Sequence, residues 1–354
     1  GIMLAYIWFA LIAVLIIGYI VMDGFDLGTG ILYPFLAKTE EDKRVLLRSI
    51  GPVWDGNEVW LLTAGGALFA AFPAVYATVF SGFYLALMLV LFCLILRAAA
   101  LEFRSIDPAW SRFWDGSFFA ASAIASLLVG VAAGNVIRGV PLDSAGEYAG
   151  TFFTLLNPFA LLVGVTGFCW IVWHGASWLS LKTVGPLHKR VMNVRKHATL
   201  ALVISFVITT VLAPMLASHA FETGSKSPLA LAGALVAVLG IVISMVYGAK
   251  SSKASEPCTK CDFFALLGSA FAGIGAVLVW AGSIFPNMLP ALNNGAYDAT
   301  KSLSVVGSSS SNLTLLVMLI IAAIGVPLVL FYTALIYKTY AGRIEPNQES
   351  DGHY

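Results

Sequence analysis

Charge is what this chain is short of. Lys, Arg, Asp and Glu make up 11% of its 354 residues, against roughly a quarter in a soluble domain. That scarcity excludes an ordinary soluble fold, and a formal net charge of +1 offers no basic surface for nucleic acid. A basic leader followed by a small-residue cleavage site is also missing, so the stretch from Gly1 onward reads as a first span, not a removed signal peptide. Histidine is scarce: only His174 of the five falls inside an apolar segment. No pair can clamp a haem between helices. A single axial ligand stays open on spacing alone, but structural hydrogen bonding is the plainer reading of a lone intramembrane His. Of the four cysteines, Cys93 and Cys169 lie in apolar segments and Cys258 and Cys261 share a polar loop. This is no disulfide framework, and Cys258-Thr-Lys-Cys261 has metal-site spacing without a second ligand pair. Nor is there a Walker loop, a dinucleotide glycine fingerprint or a Ser/His/Asp set, so the residues name no catalytic group and no metal ligand in this chain.

Long apolar runs are there in quantity, with hydrophobic residues making 59% of the chain. Nine segments are long enough to cross a hydrocarbon core of roughly 30 Å. They lie near 4–35, 53–72, 76–97, 117–137, 157–180, 197–217, 228–248, 262–284 and 312–337. The fold class expected is therefore an all-α integral membrane protein with nine transmembrane helices. The second segment carries Asp55, Asn57 and Glu58 in its first turns, and Phe72-Pro73-Ala74 joins it to the third as a tight hairpin. Seventeen of the 20 Lys and Arg residues fall in alternate loops or the tail, Arg97, Lys182, Arg195 and Arg343 among them. Arg138, Lys226 and Lys301 occupy the other loops. This bias puts the N-terminus outside and the C-terminus in the cytoplasm. Residues 1–340 form one polytopic domain, and 341–354 a polar cytoplasmic tail expected to be mobile.

Two acidic clusters organise the first part of the chain. Asp23 and Asp26 interrupt an uncharged run from Gly1 to Ala37; Asp55 and Glu58 follow Gly51-Pro52. A carboxylate at a bilayer centre costs roughly 3 kcal/mol or more, so intramembrane acids are functional hypotheses. Tyr19, Asp23, Asp26, Gly30 and Tyr33 fall on one helical face, which suits a water file or proton relay. Gly24 with Gly28 allows a neighbouring backbone to approach. The plainer reading is that both aspartates only fix helix packing. Asp55, near the positive end of a helix dipole, sits at the cytoplasmic rim where protons or cations enter; it also fits an interfacial acid flanked by anchoring Trp54 and Trp60.

Three runs then carry a resemblance: GYIVMDGFDLGTGILYPFL, GPVWDGNEVWLLTAGGALFAAFP and VYATVFSGFYLALMLVLFCLILRAAALEFRS. With GNVIRGVP, LLNPFALLVGV, the TVGPLH loop and the final GRI, they resemble subunit II of cytochrome bd-type quinol oxidases over the full length, in matching order and spacing. The resemblance implies a respiratory terminal oxidase of the bacterial or archaeal cytoplasmic membrane, oxidising ubiquinol or menaquinol and reducing dioxygen to water. It implies two four-helix bundles plus a peripheral helix, the first bundle at about 1–140 and the second, with the last helix, at about 150–340. Haem b and haem d belong to the partner, subunit I, and none is ligated by this chain. Some members add a structural quinone or a small single-span accessory subunit.

Carried onto this sequence, the resemblance makes Asp55 the family's proton-pathway acid, with Trp54 and Asn57 in the same motif. It places Asp23 and Asp26, supported by Tyr19 and Gly24, beside the subunit interface and its proton route. Glu58 stands where some members have Gln, and the outer loop around Ala217–Leu229 is shorter than in longer relatives. The competing readings are a proton-coupled secondary transporter, which would need a polar substrate site near the midplane, and a purely structural scaffold.

Overall fold

In the computed structural model, which describes residues 1–347, the apolar runs become long helices whose ends are set by local chemistry. The first helix, α1 (Ile2–Leu36), is followed by a short amphipathic helix, α2 (Glu40–Ile50). The Thr39 side chain accepts the Asp42 N–H at the start of α2, and Glu40, Glu41 and Asp42 fill its positive first turn. Then come α3 (Trp54–Ala71), α4 (Pro73–Gly82), α5 (Tyr84–Phe103) and α6 (Ser111–Arg138). The later helices are α7 (Pro158–Lys182), α8 (Gly185–Leu216), α9 (Ser218–Lys226), α10 (Pro228–Lys253), α11 (Thr259–Ile284) and α12 (Asn312–Thr339). Two of them start on the same device. Asn157 and Ser227 accept the N–H of Ala160 and Ala230, and Pro158 and Pro228 take the first helical position, where no N–H is needed.

Among the described residues, eight helical segments are long and apolar enough to cross a membrane: α1, α5, α6 with its leading turn, α7, α8, α10, α11 and α12. The expected second span, 53–72, does form a helix, α3, but its polar opening Trp54-Asp55-Gly56-Asn57-Glu58 keeps it out of that set. The expected third span, 76–97, is a bent helix. α4 and α5 meet at Phe83, where the Phe83 N–H reaches Val79 O and the Leu87 N–H reaches Phe83 O, both at 2.8 Å. The bend lies where the Tyr148 ring packs on Gly82, with room for no Cβ.

Small residues let the helices close on one another. A Cβ at Gly28 would lie 2.8 Å from Gly175 Cα and closer still to Ile171 O, so α1 and α7 cross at backbone contact. Gly240 of α10 and Gly268 of α11 pack equally tightly, and α1 touches α3, α6, α7, α11 and α12. Large apolar side chains cover the outside instead, Leu313, Ile321, Leu328 and Phe331 of α12 among them. At the end of the molecule opposite α2, short strands form a cap. There β1 (Val140–Pro141) pairs in parallel with β3 (Ala291–Asn293), which pairs antiparallel with β4 (Ala296–Tyr297). Alongside, β2 (Asn287–Leu289) pairs antiparallel with β5 (Leu303–Ser304).

The tail expected to be mobile begins pinned. Lys182 Nζ donates to Tyr340 O at 2.8 Å, and the Ile344 N–H donates to Lys182 O at 2.8 Å. Residues 348–354 of that expectation lie outside the described residues. Gly28→Val should force α1 and α7 apart and destabilise the chain by about 1–3 kcal/mol, the usual cost of overpacking. The thermal unfolding midpoint of the detergent-purified chain checks this, and an unchanged midpoint would refute the seam.

Candidate functional site

The carboxylates of α1 meet a cation that sequence reading had put in a loop. Arg97 lies within α5 and is 1% exposed. Its Nη1 and Nη2 donate to Asp23 Oδ1 and Oδ2 at 3.0 and 3.1 Å, a bidentate pair. Nη2 also donates to Glu58 Oε2 at 2.6 Å, so α1, α3 and α5 are tied at one point. The count of loop cations missed this because Arg97 ends the apolar run of α5. Its helical context, not its hydropathy, carries it inward.

Asp26 is held differently. It is fully buried, and its Oδ2 accepts from Asn57 Nδ2 at 2.8 Å. Asn57 Nδ2 also donates to Met22 O at 3.1 Å, while Asn57 Oδ1 accepts from the Tyr337 hydroxyl at 2.7 Å. Asp26 Oδ1 and Arg97 Nε have no hydrogen-bond partner among the described residues. The structure therefore brings together Asp23, Asp26, Asn57 and Glu58. Tyr19 is buried on the same face of α1, and Gly24 packs against Trp170. Trp54 is buried at the head of α3, but Asp55 beside it is exposed, outside the buried cluster. The polar face expected of α1 divides further on, where the Tyr33 hydroxyl donates to Asp115 Oδ1 at 2.7 Å.

Two more clusters lie toward the α2 end, and sequence reading had named neither. Asp115 is shared by Tyr33, Arg104 and Lys43, the last at 3.1 Å. Glu40 joins through Arg104 at 3.2 Å, and that hydrogen bond holds the Glu40 carboxyl below its ordinary range. In the second, Asp262 is fully buried. It accepts from Arg195 Nη1 at 3.1 Å, Ser251 Oγ at 2.6 Å and Arg343 Nη2 at 2.7 Å. Acids at the very ends of apolar segments were the available signal, and loop charge bookkeeping hid it.

His174 hydrogen-bonds through both ring nitrogens. Nε2 donates to Val21 O at 2.7 Å, Nδ1 pairs with Ser269 Oγ at 2.7 Å, and the ring stacks on Trp170. Neither nitrogen is free for iron, so this His does not fit a haem axial position. Among the described residues no group of three or more His, Cys, Asp or Glu is placed to hold a metal ion. Cys258 and Cys261 are joined as a disulfide at the head of α11.

A helical membrane protein with a buried ion cluster where three of its helices meet is the class these features define. The profile of the family described as cytochrome bd terminal oxidase subunit II matches residues 4–340. The chain is 39% identical to the probable cytochrome oxidase subunit 2 of Haemophilus influenzae, covering 97% of this chain and 96% of that one. It is 36% identical to the cytochrome bd-I ubiquinol oxidase subunit 2 of Escherichia coli K12, over 96% and 95% of the two chains. With the cytochrome bd ubiquinol oxidase subunit 2 of Bacillus subtilis the identity is 33%, over 96% of each. Its fold matches a chain in the structure of bd oxidase from Geobacillus thermodenitrificans with a TM-score of 0.77, at 13% identity, over 96% of this chain and 98% of that one. The chain belongs to the cytochrome bd terminal oxidase subunit II family.

Arg97→Leu should leave Asp23 buried without its cation and cost about 3–5 kcal/mol of stability. Pairing Asp23→Asn with Arg97→Gln should recover much of that, because the one acid then left without its cation, Glu58, is partly exposed and can be solvated. Thermal unfolding of the single and double variants in detergent decides it, and equal losses in both would refute the account.

Proposed function

We propose that, within the terminal quinol oxidase of which this chain is a subunit, Asp55, Glu58, Asp23 and Asp26 line the path by which protons move inward from the cytoplasmic side. The observation that supports it most is the balance of charge where α1, α3 and α5 meet. Asp23 and Glu58 bond the one guanidinium and Asp26 sits beside them on a neutral amide, so full ionisation would leave two negative charges uncompensated in a low-dielectric interior. A proton held among them relieves that excess. Asp26 Oδ1 and Arg97 Nε, unpartnered within the described residues, are groups to which water can bond. Asp55 is exposed, one helical turn before Glu58 and on the same face of α3, which suits an acid that takes protons from water and hands them inward.

The same reading sets the topology. Counting α3 and the bent α4–α5 unit as crossings gives nine, with the N-terminus outside and the α2 end in the cytoplasm. The helices then divide into two groups of four, near 1–140 and 150–340, with α12 at the periphery. The partner is a haem-bearing subunit I in a bacterial inner membrane. Haem b and haem d lie there, with quinol as reductant and dioxygen as acceptor; a structural quinone or a small accessory subunit would be additions to this core. Dioxygen is apolar and reaches the partner through the bilayer, whereas protons need carboxyl groups and water.

Quinol-driven oxygen consumption by the purified two-subunit complex carrying Asp55→Asn tests the route, with haem quantified on the same sample. The expected outcome is full haem with turnover lowered about 100-fold, the lower end of the usual range for a lost proton-transfer group, and recovery in Asp55→Glu. Full haem with unchanged turnover would make Asp55 an interfacial acid only.

A further inference from the structure

We infer that Tyr337 is a positioning residue for Asp26: by fixing the Asn57 amide, it reserves Oδ1 of Asp26 as the oxygen that exchanges protons. This rests on the proton route proposed above and names the oxygen that serves it.

The argument starts from donors and acceptors. Met22 O is a backbone carbonyl and can only accept, so the Asn57 amide must turn Nδ2 toward it. Nδ2 then also reaches Asp26 Oδ2, at 2.8 Å. Oδ1 of Asn57 is left facing the Tyr337 hydroxyl, which donates to it at 2.7 Å. Without that donor the buried Asn57 Oδ1 is left without a hydrogen bond, and the amide loses the contact that holds it from the α12 side. With it, Asp26 Oδ2 is committed to an N–H and only Oδ1 is open.

Tyr337 is held in turn from two sides. Its ring meets Phe25 and Trp178 edge-on, at 6.5 and 6.0 Å between centroids. Three residues past it, the chain enters a clasp. Lys182 Nζ takes Tyr340 O, Arg343 Nη1 takes Ser180 O at 2.6 Å and Thr183 O at 3.0 Å, and Arg343 Nη2 takes Asp262 Oδ2 at 2.7 Å. Most of α12 faces outward, so this clasp fixes the register of its last turn against α7 and α11. The buried Asp262 thus has a use at a distance: it anchors the segment that carries Tyr337.

The charged and titratable groups gathered about Asp26 are Asp23 and Tyr19 on α1, Glu58 on α3, Arg97 on α5, His174 on α7 and Tyr337 on α12. The test is Tyr337→Phe in the purified two-subunit complex, beside Asp26→Asn and the double variant. Haem content, kcat, KM for quinol and the pH profile of oxygen consumption are measured. We expect full haem, unchanged KM and kcat lowered about three- to tenfold, the equivalent of one neutral hydrogen bond, with an altered pH profile. The double variant should turn over no more slowly than Asp26→Asn alone, because Tyr337 acts only through Asp26. A further loss in the double variant, or haem lost from Tyr337→Phe, would overturn the assignment in favour of a structural role. Unchanged kcat and pH profile in Tyr337→Phe, with Asp26→Asn impaired, would overturn it while leaving the route standing. Full turnover in Asp26→Asn would remove the route itself.

Discussion

Burying Asp23 is the constraint on which the arrangement of the first helices depends. A carboxylate taken out of water loses several kcal/mol of solvation, and only a well-aligned cation returns it. Arg97 supplies that alignment with two parallel hydrogen bonds and spends its second Nη2 contact on Glu58. Because a guanidinium is planar and rigid, it fixes the depth of α5 against α1 and of α3 against both. The pair adds little net stability over an apolar equivalent of the same volume. What it sets is register, and register decides which groups of α3 face α1.

Register alone would not bring the groups close enough. That follows from the absence of side chains elsewhere along α1, where Gly28 lets α7 come to backbone contact. In a bilayer there is no hydrophobic drive between helices, since lipid is as apolar as leucine, so close packing and polar bonds must hold them. Here the two coincide on one helix. Gly24 and Gly28 face α7 while Asp23 and Asp26 face α5 and α3, and His174 of α7 reaches back to Val21 O.

Much of this was legible in the sequence, and what was not has a common physical cause. Helix positions follow from apolar length, and the acids near Asp23 and Asp55 stand out because charge is rare. The seam at Gly28 follows from small-residue spacing. Partnerships were not legible. Arg97, Arg195 and Arg343 counted as loop cations, yet each bonds a buried acid from a helix distant in sequence. Hydropathy records a cost per residue and is blind to a pairing that cancels it. Asp55 shows the reverse: it shares a motif with Asn57 and Glu58, but on α3 it is exposed, apart from the buried groups. The broken third span has a similar origin, since nothing local to Gly82 announces the Tyr148 ring that packs on it.

The two aspartates of α1, three residues apart, are thereby given unlike tasks. Asp23 has both oxygens engaged by a guanidinium that cannot give up its proton. Protonating it would break a bidentate pair and leave the buried cation with Glu58 alone, so Asp23 suits a fixed charge. Asp26 has one oxygen on a neutral amide and the other unpartnered, so gaining or losing a proton there leaves every ion pair intact. In the proposed route Asp23 with Arg97 therefore sets the local field and Asp26 carries the proton. The DGFDLG spacing supports that division because residues three apart on a helix sit about 60° off one another around its axis. One can turn to α5 while the other turns to α3, and neither role could be exchanged without moving a whole helix.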